Sequence, residues 1–130
     1  MPTEIEEFLR CDAQFQRTWH VTTEDIEIGG TVIPKGRTVI LLLGAANRDP
    51  AVFPEPDLFD ITRSPNERLS FGTGVHFCVG SPRARREVEI SFTTLFDHFP
   101  DLRLPDSPVG IEWQQNNAFR NLKSLLVLLR

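Results

Sequence analysis

The run Phe71-Gly72-Thr73-Gly74-Val75-His76-Phe77-Cys78-Val79-Gly80 constrains this chain more than any other stretch. It sets one cysteine in a glycine-rich turn, with a basic residue two positions before it, and runs straight into Ser81-Pro82. Serine suits a helix N-cap and proline the first helical position, so a helix is predicted to begin there. A thiolate in such a loop meets the positive end of the helix and free backbone N–H groups, the surroundings an anionic sulfur ligand to a metal needs. The glycines at 72, 74 and 80 permit tight turning and the close approach of a large flat group. The same residues also fit a tight turn around a buried, inert cysteine, because unpaired cysteine is often core.

The spacing of Ile5, Phe8 and Leu9 predicts a helix over Thr3–Cys11, and residues 16–21 read as a strand. Ile26-Glu27-Ile28 and Thr31-Val32-Ile33 flank Gly29-Gly30, a hairpin signal. Pro34-Lys35-Gly36 is a further turn. Residues 38–43, β-branched and leucine-rich, predict a buried strand. Pro50, Pro54, Pro56 and Pro65 make residues 47–65 a stiffened loop with a helical turn at its start. After Cys78, Val88, Phe92, Leu95, Phe96 and Phe99 mark one face of a helix over Ser81–His98, stopped by Pro100. Arg83, Arg85 and Arg86 make its start basic, against the helix dipole, so they either serve another purpose or point into solvent. Residues 102–104 and 124–129 read as closing strands. The pattern is α+β with short strands, not an alternating β-α-β series.

The 130 residues suffice for one domain. A formal net charge of -4 gives no sign of a nucleic-acid partner. Nothing at the N-terminus has the basic, apolar character of a signal peptide, and the longest apolar run, residues 39–46, is too short to span a bilayer. No membrane association and a reducing cytoplasmic location are therefore expected, with Cys11 and Cys78 unpaired. Glu7 and Arg10 stand three apart on the first predicted helix and can pair; taken alone they read as an ordinary surface ion pair.

The cysteine run resembles the haem-binding signature of the cytochrome P-450 family. Phe71, Gly72, Gly74, Cys78 and Gly80 fall on the fixed positions of that motif, and His76 on its basic position. Glu7 and Arg10 resemble the family's Glu-x-x-Arg motif, which helps fix the proximal side of the haem. Ala46-Asn47-Arg48-Asp49-Pro50 resembles a bacterial stretch of the family, Phe53 to Phe59 the loop before the signature, and Phe119 with residues 125–129 the closing β-structure. His20 lies where the family usually has an arginine on a haem propionate. Position 58, usually the arginine that completes a triad with the Glu-x-x-Arg pair, is Leu58, which removes a fork of five donors. Arg83 replaces a usual apolar residue.

The resemblance implies the C-terminal part of the mainly-α P-450 fold, with short strands and hairpins, a cysteine ligand loop and a long following helix. It covers the whole chain, so residues 1–130 are expected to be the C-terminal haem-binding segment of a longer fold. The central helix that carries the family's proton-delivering acid–alcohol pair and the substrate roof are not among these residues. It further implies haem b with iron held by Cys78, propionates neutralised by His76 and by Arg68 and His20, and Phe71 packed beside the sulfur. The activity implied is monooxygenation of a small organic substrate with dioxygen and electrons from a ferredoxin-type partner, which the arginines at 83, 85 and 86 would meet. No residue of the segment is assigned a catalytic role. The alternative is a truncated, non-catalytic haem-binding or structural remnant. A zinc site lacks ligands, since His76 and Cys78 offer two and the remaining histidines are not grouped in sequence. A Ser-His-Asp reading lacks a nucleophile elbow.

Overall fold

The computed structural model describes residues 3–107 and 110–129. In chain order the elements are α1 (Thr3–Cys11), β1 (Thr18–Val21), β2 (Ile26–Ile28), β3 (Thr31–Ile33), β4 (Thr38–Leu41), α2 (Leu43–Ala46), a 3-10 turn (Gly74–His76) and α3 (Ser81–His98). The architecture is α+β. Helices α1 and α3, and the β2–β3 hairpin, have the bounds that spacing and turn residues predict. Gly29 and Gly30 both have positive φ, 57° and 77°, the conformation a two-residue hairpin turn demands. The β2–β3 hairpin is inserted between β1 and β4, which pair antiparallel with Thr18 opposite Leu41 and Val21 opposite Thr38. Thr22 closes the ends of this unit: its hydroxyl donates to the Pro34 carbonyl at 2.7 Å and accepts from the Arg37 N–H at 2.9 Å.

The structure corrects several expectations. The first strand begins at Thr18 rather than at residue 16, because the Gln16 main chain is engaged elsewhere, donating to the Ala118 carbonyl and accepting from Gly44. The strand expected to be buried over 38–43 stops at Leu41, where α2 soon takes over, and it is not buried: Ile40 is 47% exposed. The two strands make a single ribbon whose side chains are exposed, apart from the half-buried Thr18 and Val39. The helical turn expected at the start of 47–65 lies just before it, as α2. The closing strands over 102–104 and 124–129 reduce to one bridge between Arg103 and Leu128. Phe119 likewise makes a single bridge, to Phe15, with ring centroids 4.4 Å apart. Ser81 is not the N-cap of α3: Gly80 holds that position with no side-chain cap, while Ser81 is buried as the first helical residue.

The interior is unusually polar. Ile5, Ala13 and Phe53 are the buried apolar side chains among the described residues, whereas Glu7, Arg10, Asn47 and Ser81 are essentially inaccessible. The apolar face of α3 is open: Phe96 is 49% exposed, and Phe59, Phe8, Phe92 and Phe96 run as a half-exposed aromatic strip with successive centroids 5.0, 5.6 and 6.1 Å apart.

Candidate metal-ligand site around Cys78

The cysteine loop is a folded turn held by its own backbone. Gly72 N–H donates to the Leu69 carbonyl, Phe77 N–H to Gly74, and Cys78 N–H to Phe71 at 2.9 Å. Gly72 and Gly74 have φ of 71° and 65°, so glycine is required at both. Gly80 has an ordinary φ, and a Cβ added there would lie 3.7 Å from the Cys78 sulfur. Ser81 N–H returns to the Cys78 carbonyl at 3.1 Å, joining the loop to the start of α3. Cys78 is exposed and unpaired, so the reading of a buried, inert thiol does not hold. Val75 and Val79, on either side of it in sequence, are each 97% exposed.

His20, from β1, and His76, from the loop, meet edge to face with centroids 6.0 Å apart. The fold thus brings together two of the expected anion-binding side chains, both exposed. Arg68 is placed differently. Its guanidinium is largely buried and pairs with Glu6 of α1, which also receives Arg85 Nε at 2.8 Å. Both guanidiniums lie over the Phe71 ring, at 5.6 and 4.8 Å from its centroid. Burial presses the Arg68 pKa below its ordinary value, with the Arg85 charge adding to this and Glu6 opposing it. Glu6 and Arg85 carried no sequence signal as a pair, since they lie on separate helices. The expected basic face of α3 is also internally matched: Arg83 pairs with Glu87 at 2.7 Å and Arg86 with Glu89 at 2.8 Å.

The loop is anchored to a buried carboxylate. Glu7 accepts a bidentate fork from Arg10, Nε and Nη2 each at 2.8 Å, and further bonds from the Asp60 N–H at 2.9 Å and Asn66 Nδ2 at 3.0 Å. It is a buried pair, not the surface pair its spacing alone suggested. Burial pushes the Glu7 carboxyl up, but Arg10, the Asp60 N–H and Arg63 outweigh it and hold the pKa at about 2. Arg10 Nη1 reaches the carbonyls of Asn47 and Pro56. Asn47 in turn accepts from Leu69 N–H at 2.7 Å and donates to Ser70 Oγ at 2.9 Å, the two residues before Phe71. Neither Asn47 nor Ser70 stands out by residue type. Cys11 belongs to this cluster and not to the loop: its thiol accepts from Arg10 at 2.8 Å, and burial pushes its pKa up.

The sequence model of the family described as Cytochrome P450 matches residues 2–119. The biotin biosynthesis cytochrome P450 of Bacillus subtilis (strain 168) is 50% identical over 127 residues, covering 96% of this chain and 31% of that protein. The 6-deoxyerythronolide B hydroxylase of Saccharopolyspora erythraea is 42% identical over 129 residues, 99% of this chain and 32% of its own length. Among solved structures, P450BioI in complex with an acyl carrier protein ligated to hexadec-9Z-enoic acid superposes with a TM-score of 0.91 at 47% identity, covering 99% of this chain and 34% of that one. The tirandamycin C-bound P450 monooxygenase TamI gives 0.93 at 40% identity, with 99% and 33% covered. The chain belongs to the cytochrome P450 family. It spans about a third of the length of the curated relatives it matches.

The residues present fit a haem. An exposed thiol at the end of a glycine turn is the donor that thiolate ligation uses. The bare valines on either side leave the sulfur approachable by a flat ring, and the two imidazoles supply donors for carboxylates. Among the described residues no three of His, Cys, Asp and Glu are grouped.

Proposed function

We propose that residues 1–130 form the C-terminal haem-binding segment of a haem-thiolate monooxygenase, with Cys78 as the axial ligand to haem b. The observation that carries this reading is the exposed Cys78 thiol on its glycine turn, bare of cover beside Val75 and Val79. When bound, the haem supplies activation of dioxygen for oxygen insertion into a small organic substrate. Cys78 would hold the iron through its thiolate, a ligand that donates electron density to the metal. Phe71, pinned to Cys78 through its carbonyl, would pack beside the sulfur under a bound haem and strengthen nearby N–H dipoles there. Gly72, Gly74 and Gly80 would let the loop approach a bound haem closely. His20 and His76 would neutralise propionates. Arg68, paired with Glu6 and stacked on Phe71 beside Arg85, would add a third cation toward the propionates. No side chain of this segment acts on substrate. Electrons come from a ferredoxin-type partner, met by the exposed Arg83 and Arg86. No described helix is long and apolar enough to cross a membrane, and a cytoplasmic location accords with two free thiols.

A second reading is that the segment holds haem without turning substrate over. The near-complete exposure of Val75 and Val79 favours it, since nothing among the described residues covers the sulfur's surroundings. Electron paramagnetic resonance of the ferric haem complex tests the ligand common to both readings. A low-spin thiolate signal, lost in Cys78→Ser, supports it. A histidine-type signal in the unaltered chain overturns it.

A further inference from the structure

The three histidines of the chain are scattered in sequence, and the fold brings two of them together. His20 stands on β1 and His76 in the 3-10 turn of the cysteine loop, with ring centroids 6.0 Å apart and planes at 83°. Both main chains are fixed. His20 lies in the β1–β4 register opposite Val39, and the turn carrying His76 is closed by Phe77 N–H on the Gly74 carbonyl at 3.1 Å. Both side chains are exposed, and among the described residues neither imidazole hydrogen-bonds to protein or joins an ion pair. Each ring therefore keeps a nitrogen lone pair to offer. His98, the third histidine, ends α3 and holds its Nδ1 against the Thr94 carbonyl at 2.8 Å, away from the pair.

Imidazole nitrogen suits zinc, copper and nickel, whereas magnesium and calcium take oxygen ligands. Two imidazoles on one zinc, with Zn–N of about 2.0–2.1 Å and a tetrahedral angle, have centroids roughly 5 Å apart. The observed 6.0 Å exceeds this by about 1 Å, a gap that rotation of two exposed side chains on fixed backbones closes. No charge within the ribbon opposes a cation there, since the neighbours of His20 on its face are Thr18, Val39 and Leu41. His76 is flanked by Val75 and Phe77. In sequence His76 has only Cys78 beside it as a possible ligand; the fold adds His20. Cys78 does not complete a set of three with them, so the remaining coordination positions fall to solvent.

We propose that His20 and His76 form a two-imidazole site for a divalent transition-metal cation of the zinc type in the chain with no haem bound. The site needs neither the Cys78 thiolate nor a haem carboxylate, so it stands or falls apart from the haem reading above. Two protein ligands leave most of the coordination shell open, unlike the closed four-ligand shell of a structural zinc. The cation is therefore exchangeable and not part of what folds the chain.

The test is calorimetric titration of the haem-free full chain with zinc ion, and with magnesium ion as the hard-cation control. One zinc per chain is expected, and no magnesium. His20→Ala and His76→Ala should each weaken zinc by on the order of tenfold or more, since even the loss of a ligand's supporting partner costs that much. The double variant should lose little beyond either single one, because one imidazole alone no longer chelates. His98→Ala and Cys78→Ser should bind zinc as the parent does. In the unaltered chain, the ring C–H resonances of His20 and His76 should move on adding zinc while those of His98 stay. All three histidine variants should keep the parent's circular dichroism, so that a loss of zinc reports the site and not the fold. No zinc uptake by the unaltered chain, uptake that survives either His20→Ala or His76→Ala, or uptake lost in Cys78→Ser would overturn the site. Failure of thiolate ligation in a haem-loaded sample would leave every one of these zinc results standing.

Discussion

The rings of His20 and His76 meet at 83°, one from a strand and one from the cysteine loop. A dianionic edge of a haem placed against them would engage both at once. Removing either imidazole should therefore weaken hemin affinity by on the order of tenfold, the scale of a hydrogen bond to a charged group. The two losses should be less than additive in the double variant, because both side chains serve the same edge. Hemin titration of His20→Ala, His76→Ala and their combination measures this. An unchanged affinity in His20→Ala would remove that residue from the site.

Glu7 sets an acid limit on the fold. Its folded pKa of about 2 lies below the ordinary 4.5. The stabilisation is therefore fully present above pH 4.5 and is lost as pH falls toward 2. Glu7→Gln removes the charge and leaves Arg10 buried without its partner, which costs about 3–5 kcal/mol, a large share of a typical domain's stability. Urea unfolding at neutral pH should show that loss, together with reduced haem retention. A Glu7→Gln chain that folds and holds haem normally would contradict the structural role of the pair.

Residues 1–130 by themselves should be loosely packed. Three apolar side chains are buried among the described residues, while Phe8, Phe59, Phe92, Phe96 and the β4 strand lie open. Exposed apolar surface on that scale invites association, and the short β1–β4 ribbon leaves strand edges unpaired. Binding of a hydrophobic dye and a broad thermal transition are expected. A sharp, cooperative transition in a dye-free monomer would count against this.

How far the fold could be read beforehand follows from what each feature depends on. Helix α1, the Gly29-Gly30 hairpin and α3 were legible because apolar spacing and turn residues are local signals. The cysteine loop was legible because its glycines and thiol lie within ten residues. The buried polar interior was not: Asn47, Ser70 and Arg63 join Glu7 and Arg10 only through long-range contacts. Burial of residues 38–43 was misjudged because apolar patterning states which face seeks cover, not whether cover is present. The Ser81 cap failed for a related reason, since that side chain is turned inward, where packing decides its place.

Haem-loaded residues 1–130 should consume reductant without oxygenating substrate. Productive chemistry needs dioxygen held in a dry pocket and protons delivered in order, and Cys78 and its neighbours supply the thiolate side only. NADPH-driven turnover with a ferredoxin and its reductase should yield peroxide and no product. Product formed in proportion to NADPH consumed would show that these residues suffice.

The direct test of the central claim is the absorption spectrum of the reduced, haem-loaded chain under carbon monoxide. Thiolate ligation by Cys78 predicts a red-shifted Soret band in the unaltered chain and in Cys11→Ser, and its disappearance in Cys78→Ser. A red-shifted band that survives Cys78→Ser, or that is lost equally in Cys11→Ser, would contradict the assignment.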